Sequence, residues 1–144
     1  MPVDQAVFLR IDTTNGCPYL EGPSGELVVT TLLAAHDKGF FDLLGFVVLP
    51  NELQVLMVSH GKPVTELLGN LEASLHTWLT DVATIFDTDI YKEKVDCTEE
   101  IRLRLKWMHQ APVRSRLATL SEAYPYSSAN SRFRSLLKLE QLVM

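Results

Sequence analysis

Apolar positions recur along this chain in two patterns, one suited to strands and one to helices. Four short stretches are rich in strand-forming residues or alternate between apolar and polar positions. The first is followed by the turn signal Asn15-Gly16. The second and third are separated only by Pro50-Asn51, which predicts an antiparallel hairpin. The predicted strands are "AVFLRI" (6–11), "FDLLGFVVL" (41–49), "ELQVLMV" (52–58) and "DIYKEKV" (89–95).

Three longer stretches are predicted as helices, the first two from apolar residues at helical or roughly helical spacing, and the third from a cap, acids in its first turn and bases later on. The first opens with Ser24 as its predicted cap and ends near Gly39. The third opens with Thr98 as its predicted cap and ends before Pro112. The second has the most regular spacing, at Leu67, Leu71, Leu75, Trp78, Leu79 and Val82. The predicted helices span 24–40, 64–86 and 97–110, and a short terminal helix is expected within 128–144.

The order of these elements is strand, helix, strand, strand, helix, strand, which is the arrangement of ferredoxin-like α+β folds. In such a fold two helices cover one face of a four-stranded antiparallel sheet, and here C-terminal helices follow. We expect one domain over residues 1–144, with a core at about 6–130 and a C-terminal helical extension at 131–144. Because this fold hosts many unrelated functions, the order alone says nothing about activity.

The composition, the cysteines and the length of the apolar runs indicate in which cellular compartment the protein is expected. With 144 residues, 47% of them hydrophobic, the chain can bury a core without metals or disulfides. Cys17 and Cys97 are far apart and have no thiol or histidine at ligand spacing, so we expect two reduced thiols. The first apolar run is too short for a signal peptide, and no stretch approaches the roughly 20 apolar residues of a membrane span. These features predict a cytoplasmic protein with no membrane partner.

Charge is unevenly distributed along the chain. The net charge is −5, which argues against a surface that attracts nucleic acid everywhere. Residues 1–96 hold five bases and fourteen acids, whereas residues 97–144 hold eight bases and four acids. The basic C-terminal part can meet either phosphate groups or the acidic part of its own fold or of a partner.

Two stretches are more specific than the order of elements. "FVVLPNELQVLMV" (46–58) resembles the hairpin box of the single-tyrosine HUH transposases, the insertion-sequence-200-like and repeat-associated group, which reads Met/Leu-Pro-Asn/Glu-His-hydrophobic-His. "KWMHQAPVRSRLATLSEAYPYSSA" (106–129) resembles their later box, Tyr-Ile-x-x-Asn-Pro-Val-Lys/Arg-x-Gly followed by an acid, an aromatic and Pro-Trp-Ser-Ser. The matched residues are Leu49, Pro50, Asn51, Pro112, Val113, Arg114, Leu117, Glu122, Tyr124, Pro125, Ser127 and Ser128.

The resemblance spans about residues 6–130 and implies the ferredoxin-like fold, usually as a homodimer. Members of the family cut and rejoin single-stranded DNA during transposition. Two histidines hold a divalent metal that polarises the scissile phosphate, and a helix tyrosine attacks it to give a phosphotyrosine link. A polar residue four positions after the tyrosine, on the same helix face, completes the metal site.

The chemically active positions of the family carry other residues in this sequence. The histidine pair falls on Glu52 and Gln54, which project from one face of a strand because they are two residues apart. The tyrosine falls on Trp107 and the polar helix ligand on Ala111. An indole has no oxygen that can attack phosphorus, so we expect no catalysis. A single carboxylate and an amide are a weak ligand set even for Mg²⁺, so we interpret Glu52 and Gln54 as a solvated strand face without a metal or other cofactor.

The other tyrosines and the histidines match no active position. Tyr91, Tyr124 and Tyr126 are interpreted as buried packing residues. The histidines are interpreted as surface or hydrogen-bonded residues, namely His36, His60, His76 and His109. An enzyme of different chemistry, with Glu52 as a base, is disfavoured because the sequence contains no recognisable nucleophile–base pair or phosphate-binding glycine loop.

Two hypotheses about the present role remain. In the first, a transposase-like protein has lost catalysis and keeps affinity for single-stranded DNA, through cations that contact phosphates and an indole that stacks on an unpaired base. The predicted DNA-binding residues are Arg102, Lys106, Trp107, Arg114 and Arg116. In the second, the scaffold is a protein-interaction or dimerisation module without nucleic-acid binding, which the acidic surplus of residues 1–96 favours.

Overall fold

A four-stranded antiparallel sheet forms the centre of the molecule in the computed structural model, which describes residues 6–61 and 63–133. Its strands are β1 (Ala6–Thr13), β2 (Phe41–Leu49), β3 (Glu52–Ser59) and β4 (Phe86–Val95). Their order across the sheet is β2-β3-β1-β4, so the hairpin partners β2 and β3 are neighbours and β1 lies between β3 and β4. This confirms the predicted ferredoxin-like α+β fold.

Four α-helices accompany the sheet in the described part of the chain. They are α1 (Pro23–Asp37), α2 (Val64–His76), α3 (Thr98–His109) and α4 (Ala111–Arg114). The buried side chains of α1 and α2 pack with one face of the sheet, and those of α3 and α4 pack with the other. The predicted C-terminal helices therefore cover the face that α1 and α2 leave free.

The two faces of β3 belong to two different cores, because neighbouring side chains in a strand point to opposite sides. Leu53, Val55 and Met57 lie in the core below α1 and α2. Leu56 and Val58 lie in the second core, below α3. Glu52 and Gln54 have the parity of the second set, so they lie on the α3 side of the sheet.

The start of α1 differs from the prediction. Ser24 is not the cap; the helix begins at Pro23, its N-cap is Gly22, and Ser24 is buried inside the first turn. Proline suits the first helical position because its missing N–H would have no partner there. Gly22 takes a φ of 55°, a left-handed conformation that glycine adopts without steric cost.

The second helix is ten residues shorter than predicted. It ends at His76, and Trp78 is 58% exposed instead of continuing the apolar face. Leu79 and Val82 still pack against the first core, but from irregular backbone that His76 holds through a 2.9 Å contact between its Nε2 and the Val82 carbonyl. The helical spacing therefore correctly predicts that Leu79 and Val82 pack against the core, but the prediction that they belong to a helix is wrong.

The start of α3 is also capped differently. Thr98 is the first helical residue, Cys97 is the N-cap, and no side chain of the cap bonds to the helix. The first turn contains the acids Glu99 and Glu100, and Glu100 Oε2 accepts a hydrogen bond from the backbone N–H of Asp96 at 3.1 Å. The helix ends at His109, before Pro112 as predicted, and α4 follows after one residue.

Residues 126–128 cover the outer edge of β2. The Val48 N–H bonds to the Tyr126 carbonyl at 2.8 Å, and the Ser128 N–H bonds to the Phe46 carbonyl at 2.9 Å. Gly45 allows α3 to approach this edge, because a Cβ there would lie 2.2 Å from Cδ2 of Leu105. The later sequence box thus has a structural role at the border of the sheet.

A terminal helix is expected within 128–144, and most of this range lies outside the described residues. Its described part contains a 3₁₀ turn at Ser131–Phe133. Within residues 6–61 and 63–133, no helix is long and apolar enough to cross a membrane.

Candidate functional site

Glu52 and Gln54 form a hydrogen-bonded pair at the start of β3. The Nε2 of Gln54 donates to Oε2 of Glu52 at 2.6 Å. Gln54 is only 2% exposed, so the interpretation of this pair as a solvated strand face is wrong for Gln54. Its Oε1 is buried and has no hydrogen-bond partner among the described residues. A buried acceptor without a donor costs stability, which makes this side chain unusual for a purely structural position.

The burial of Gln54 follows from its neighbours in the sheet. It pairs with Val47 of β2 on one side and with Arg10 of β1 on the other. Val47 belongs to the second core together with Ala111, the first residue of α4. Residue 111 and the β3 pair therefore lie on the same side of the sheet, as the resemblance to the transposase boxes requires.

These residues do not fit the divalent metal that the resemblance implies. Ala111 offers no ligand atom, and the Gln54 amide directs an N–H, not an oxygen, towards the Glu52 carboxylate. Asp12 pairs with Glu52 across β1 and β3, but its Oδ1 lies 3.9 Å from Nε of Arg10. In the described part of the chain, no three His, Cys, Asp or Glu side chains form a group that could hold a metal ion.

Trp107 is 42% exposed on α3 and lies between two arginines. The Cζ of Arg114 is 4.4 Å from the centroid of the indole, and the Cζ of Arg104 is 5.4 Å from it. Arg114 also donates from Nη1 to the Trp107 carbonyl at 2.9 Å, at the end of the helix, where carbonyls lack partners. The indole packs edge-to-face on Phe8 of β1 at 6.1 Å, so it lies on the same sheet face as the Glu52–Gln54 pair.

The predicted DNA-binding residues do not form one patch. Arg102 and Trp107 are five residues apart, about 140° around the helix, so they lie on opposite flanks of α3. Lys106 lies on the flank of Arg102, one turn further on, and both are exposed. Arg102 also bonds to Glu99 at 2.8 Å, which reduces its net positive field. Of the four predicted cations, Arg114 is the one with a described contact to Trp107.

Arg116 ends α4 in a strained conformation. Its φ is 61°, in the left-handed region where glycine is favoured, and it occupies the position of the glycine in the family's second box. The Leu117 N–H bonds to the Pro112 carbonyl at 2.8 Å and the Arg116 N–H to the Val113 carbonyl at 3.1 Å, which is a Schellman ending. The turn therefore forms with arginine at the position where the family's box has glycine.

Tyr91 is 48% exposed, so its interpretation as a buried packing residue is wrong. It lies on the edge strand β4, where the sheet has a neighbour on one side only. Its ring packs edge-to-face on Phe8 at 6.2 Å, and its hydroxyl donates to Oε1 of Glu93 at 2.5 Å. The sequence does contain a signal for this exposure, because charged residues surround Tyr91 in β4.

The other two tyrosines are packing residues, as predicted. Tyr124 is 8% exposed, donates from its hydroxyl to the Val48 carbonyl at 2.6 Å, and packs edge-to-face on Tyr126 at 5.9 Å. Burial raises the pKa of Tyr124 to about 12, so its phenol stays protonated at neutral pH. These contacts hold the later box against β2.

His109 and Ser128 form a pair that the sequence did not reveal. The Nε2 of His109 lies 2.7 Å from Oγ of Ser128, whose Oγ also accepts a hydrogen bond from the Phe46 N–H at 3.0 Å. Burial lowers the pKa of His109 to about 4, so the imidazole is neutral and the serine hydroxyl can donate to it. Because Ser128 is only 6% exposed, this pair ties α3 to the sheet and is not an accessible nucleophile with its base.

The structure is similar to solved transposases, whereas sequence comparisons find nothing. No protein-family model and no curated protein match this chain. A REP-associated tyrosine transposase bound to a REP hairpin is similar at a TM-score of 0.74 and 12% identity, covering 96% of this chain and 85% of that one. A candidate transposase from Deinococcus radiodurans R1 is similar at a TM-score of 0.51 and 9% identity, covering 73% of this chain and 89% of that one.

At these identities the comparisons define a shared fold and not a shared activity. The chain has a transposase-like scaffold over nearly its whole length. The predicted fold is confirmed, while the loss of the active residues and the binding of DNA stay predictions.

Proposed function

We propose that this protein is a transposase-derived protein that binds single-stranded DNA and does not cut it. The observation that carries the proposal is the exposed Trp107, which is packed against Arg114 on the same sheet face as the Glu52–Gln54 pair. An aromatic ring beside a guanidinium suits a nucleic-acid strand, because bases stack on rings and phosphates bind cations.

The loss of cleavage follows from the chemistry at the matched positions. An indole cannot form a phosphoester, and neither Glu52 with Gln54 nor Ala111 supplies an adequate metal site. The hydroxyls of Tyr124 and Ser128 are buried and hydrogen-bonded, so they are poor substitutes for a nucleophile. Tyr91 is exposed, but its hydroxyl donates to the Glu93 carboxylate, and this hydrogen bond raises the pKa of the phenol, which disfavours the nucleophilic phenolate.

A nucleic-acid partner is also favoured by the structural neighbour that was solved with a REP hairpin. The charge on Arg114 supports the same partner, since no carboxylate pairs with it among the described residues. Lys106 lies on the other flank of α3 and Arg116 lies two residues beyond Arg114; both are exposed and add to the positive charge of this part of the chain. With a net charge of −5, we expect weak binding that depends strongly on salt.

Binding is tested by fluorescence anisotropy of a labelled single-stranded oligonucleotide. We expect a measurable affinity at low salt that falls steadily as salt is raised, and a further loss in Arg114→Gln. A matched control is Arg132→Gln, because Arg132 pairs with Glu26 at 3.1 Å and lies away from Trp107. Absence of binding at low salt would refute the proposal.

The assignment of the inactive positions is tested by restoring the family's residues. The restored variant carries Glu52→His, Gln54→His, Trp107→Tyr and Ala111→Asn. We expect it to nick single-stranded DNA with Mg²⁺ or Mn²⁺ and to retain a covalent protein–DNA link. The control has the same changes but Trp107→Phe, which lacks the attacking oxygen. Cleavage by the unmodified protein would contradict the proposed loss of activity.

A protein-interaction module on the same scaffold is the second candidate. It is favoured by Leu103, which is 58% exposed one turn before Trp107 on α3 and extends the apolar surface. In this case α3 would contact a second copy of the chain, giving the homodimer that the resemblance implies. Light scattering tests it, because Leu103→Glu should convert a dimer to monomers. A monomeric unmodified protein would rule out the homodimer.

A further inference from the structure

A second exposed ring lies on the same side of the sheet as Trp107, outside every position that the sequence boxes match. Tyr91 and Trp107 are exposed by 48% and 42%, and each packs edge-to-face on the buried Phe8, at 6.2 Å and 6.1 Å. The two exposed rings are thus held by one buried ring in the central strand β1. Three aromatic residues form a continuous row from the edge of the sheet to α3.

Tyr91 is the more accessible of the two rings for a planar ligand. Arg114 covers the Trp107 indole at 4.4 Å, so a base that stacks there must displace the guanidinium or stack on it. Over Tyr91 the nearest guanidinium is that of Arg10, whose Cζ is 5.7 Å from the ring centroid. This wider spacing leaves the phenol ring less covered, although the sequence favours Trp107 as the stacking residue.

The ring of Tyr91 is also fixed in place. Its hydroxyl bonds to Oε1 of Glu93, and the other oxygen of Glu93 is bound by Arg104, which in turn lies over Phe8 at 4.5 Å. An oriented ring loses little conformational freedom when a ligand binds, so more of the contact energy appears as affinity. Arg104 also neutralises the Glu93 carboxylate, which would otherwise repel phosphate.

Arg10 supplies a cation beside this ring. It is exposed in the middle of the sheet, paired in register with Tyr91 on one side and with Gln54 on the other. Its nearest carboxylate is Asp12, at 3.9 Å, the outer limit of an ion pair. Although α3 and α4 cover much of this face, Arg10 and Tyr91 remain exposed, and aromatic residues on the open surface of a four-stranded sheet are a recurrent binding surface for unpaired bases.

We infer that Tyr91 is a stacking position for an unpaired base, with Arg10 as its phosphate contact, and that a short single-stranded segment crosses from Tyr91 to Trp107. This inference rests on the proposed function. It adds two residues that bind the nucleic acid, Tyr91 and Arg10, and the requirement that the bound bases are unpaired. DNA and RNA offer the same bases and phosphates here, so the shared chemistry is that of a single-stranded nucleic acid.

Anisotropy titrations with three labelled probes test the inference, namely a mixed-sequence DNA strand, the same sequence as RNA, and the blunt DNA duplex. We expect Tyr91→Leu to weaken single-strand binding by about tenfold, the usual loss for one stacked base. Tyr91→Phe keeps the ring and should bind like the unmodified protein. Trp78→Leu removes a more exposed ring, at 58%, which follows α2 on the opposite face, and should leave single-strand binding unchanged.

Arg10→Gln provides an independent readout. If Arg10 contacts one phosphate, the slope of log affinity against log salt should fall in magnitude by about 0.7 for a single strand. The relative affinities of the DNA and RNA probes identify which of them is the ligand, and loss of either in Tyr91→Leu supports the inference.

Two results separate this inference from the proposed function. If the unmodified protein binds single strands and Tyr91→Leu binds them equally well, the stacking position is wrong and the proposed function stands. If no probe binds at low salt, both are wrong. Duplex binding as tight as single-strand binding also overturns the inference, because bases within a duplex cannot stack on Tyr91.

Discussion

Arg114 holds Trp107 twice, through a cation–π contact of 4.4 Å with its ring and a 2.9 Å hydrogen bond to its carbonyl. From the sequence, Arg114 is predicted to contact phosphate and Trp107 to stack on a base, as two separate binding groups. Because the guanidinium lies on the indole, they form a single unit that links the end of α3 to α4. Any ligand that uses one of them must therefore affect the other.

A double-mutant cycle on the free energy of unfolding tests this unit. We expect Trp107→Leu and Arg114→Gln to be non-additive, with a coupling energy of about 0.5–1 kcal/mol from the lost cation–π contact. The matched control is the pair Trp107→Leu and Arg102→Gln, which lie on opposite flanks of α3 and should be additive. Urea denaturation measures both cycles. Equal coupling in the two pairs would contradict the contact.

The buried His109 predicts that stability falls in mild acid. Its folded pKa of about 4 lies below the ordinary value of 6.5, so the unfolded chain binds the proton first. Stability from this group is complete above pH 6.5 and is lost as the pH falls towards 4, by about 3 kcal/mol in all.

Urea denaturation between pH 7 and pH 4 measures this effect. His109→Gln should remove most of the dependence in that range. If His109→Gln keeps the full dependence, other groups cause it and the burial of His109 is not the reason.

The left-handed Arg116 predicts a stabilising substitution. Arg116→Gly should raise the free energy of unfolding by roughly 0.5–1 kcal/mol, because glycine adopts a φ of 61° without a clash of its Cβ. Arg116→Ala is the matched control, since it removes the same charge and keeps the Cβ. Thermal denaturation compares the two variants. A gain in Arg116→Ala as large as that in Arg116→Gly would assign the effect to charge instead.

The orphaned Gln54 oxygen predicts a stabilising substitution at residue 54. Gln54→Met retains the length of the side chain and removes the buried acceptor. It also removes the hydrogen bond to Glu52, but that carboxylate is half-buried and can bind water instead, so we expect a gain of about 1 kcal/mol in the free energy of unfolding. Gln110→Met, at an exposed position, is the control and should have little effect. A loss of stability in Gln54→Met would indicate that the oxygen has a partner in solution, for example an ordered water.

Much of the fold could be predicted because its causes are local. The turn at Pro50-Asn51 and the apolar runs beside it define the hairpin, and the order of elements defines the sheet. The end of α2 could not be predicted in this way, because Leu79 and Val82 keep helical spacing while they pack from a loop. The spacing of apolar residues indicates which side chains are buried, but not the backbone that buries them. Here a loop, held by His76, buries the side chains that a longer helix would have buried.

The candidate site was predictable in position but not in environment. The sequence boxes led to Glu52, Gln54 and Trp107, which the structure brings to one face of the sheet. The burial of Gln54 and the exposure of Tyr91 depend on where α3 and α4 cross that face, and this is a tertiary property. The contact between His109 and Ser128 joins residues nineteen positions apart, so no local pattern could reveal it.

The closed border of β2 has a consequence for how the protein behaves at high concentration. Since residues 126–128 pair with Phe46–Val48, an extended segment of another molecule has no free ladder to join along that part of β2. In the described residues the other border is β4, where Asp87, Asp89, Lys92 and Lys94 surround Tyr91 with charge. A border of this kind resists the unspecific strand addition that seeds fibrils, so pairing between copies of the chain through β4 is disfavoured.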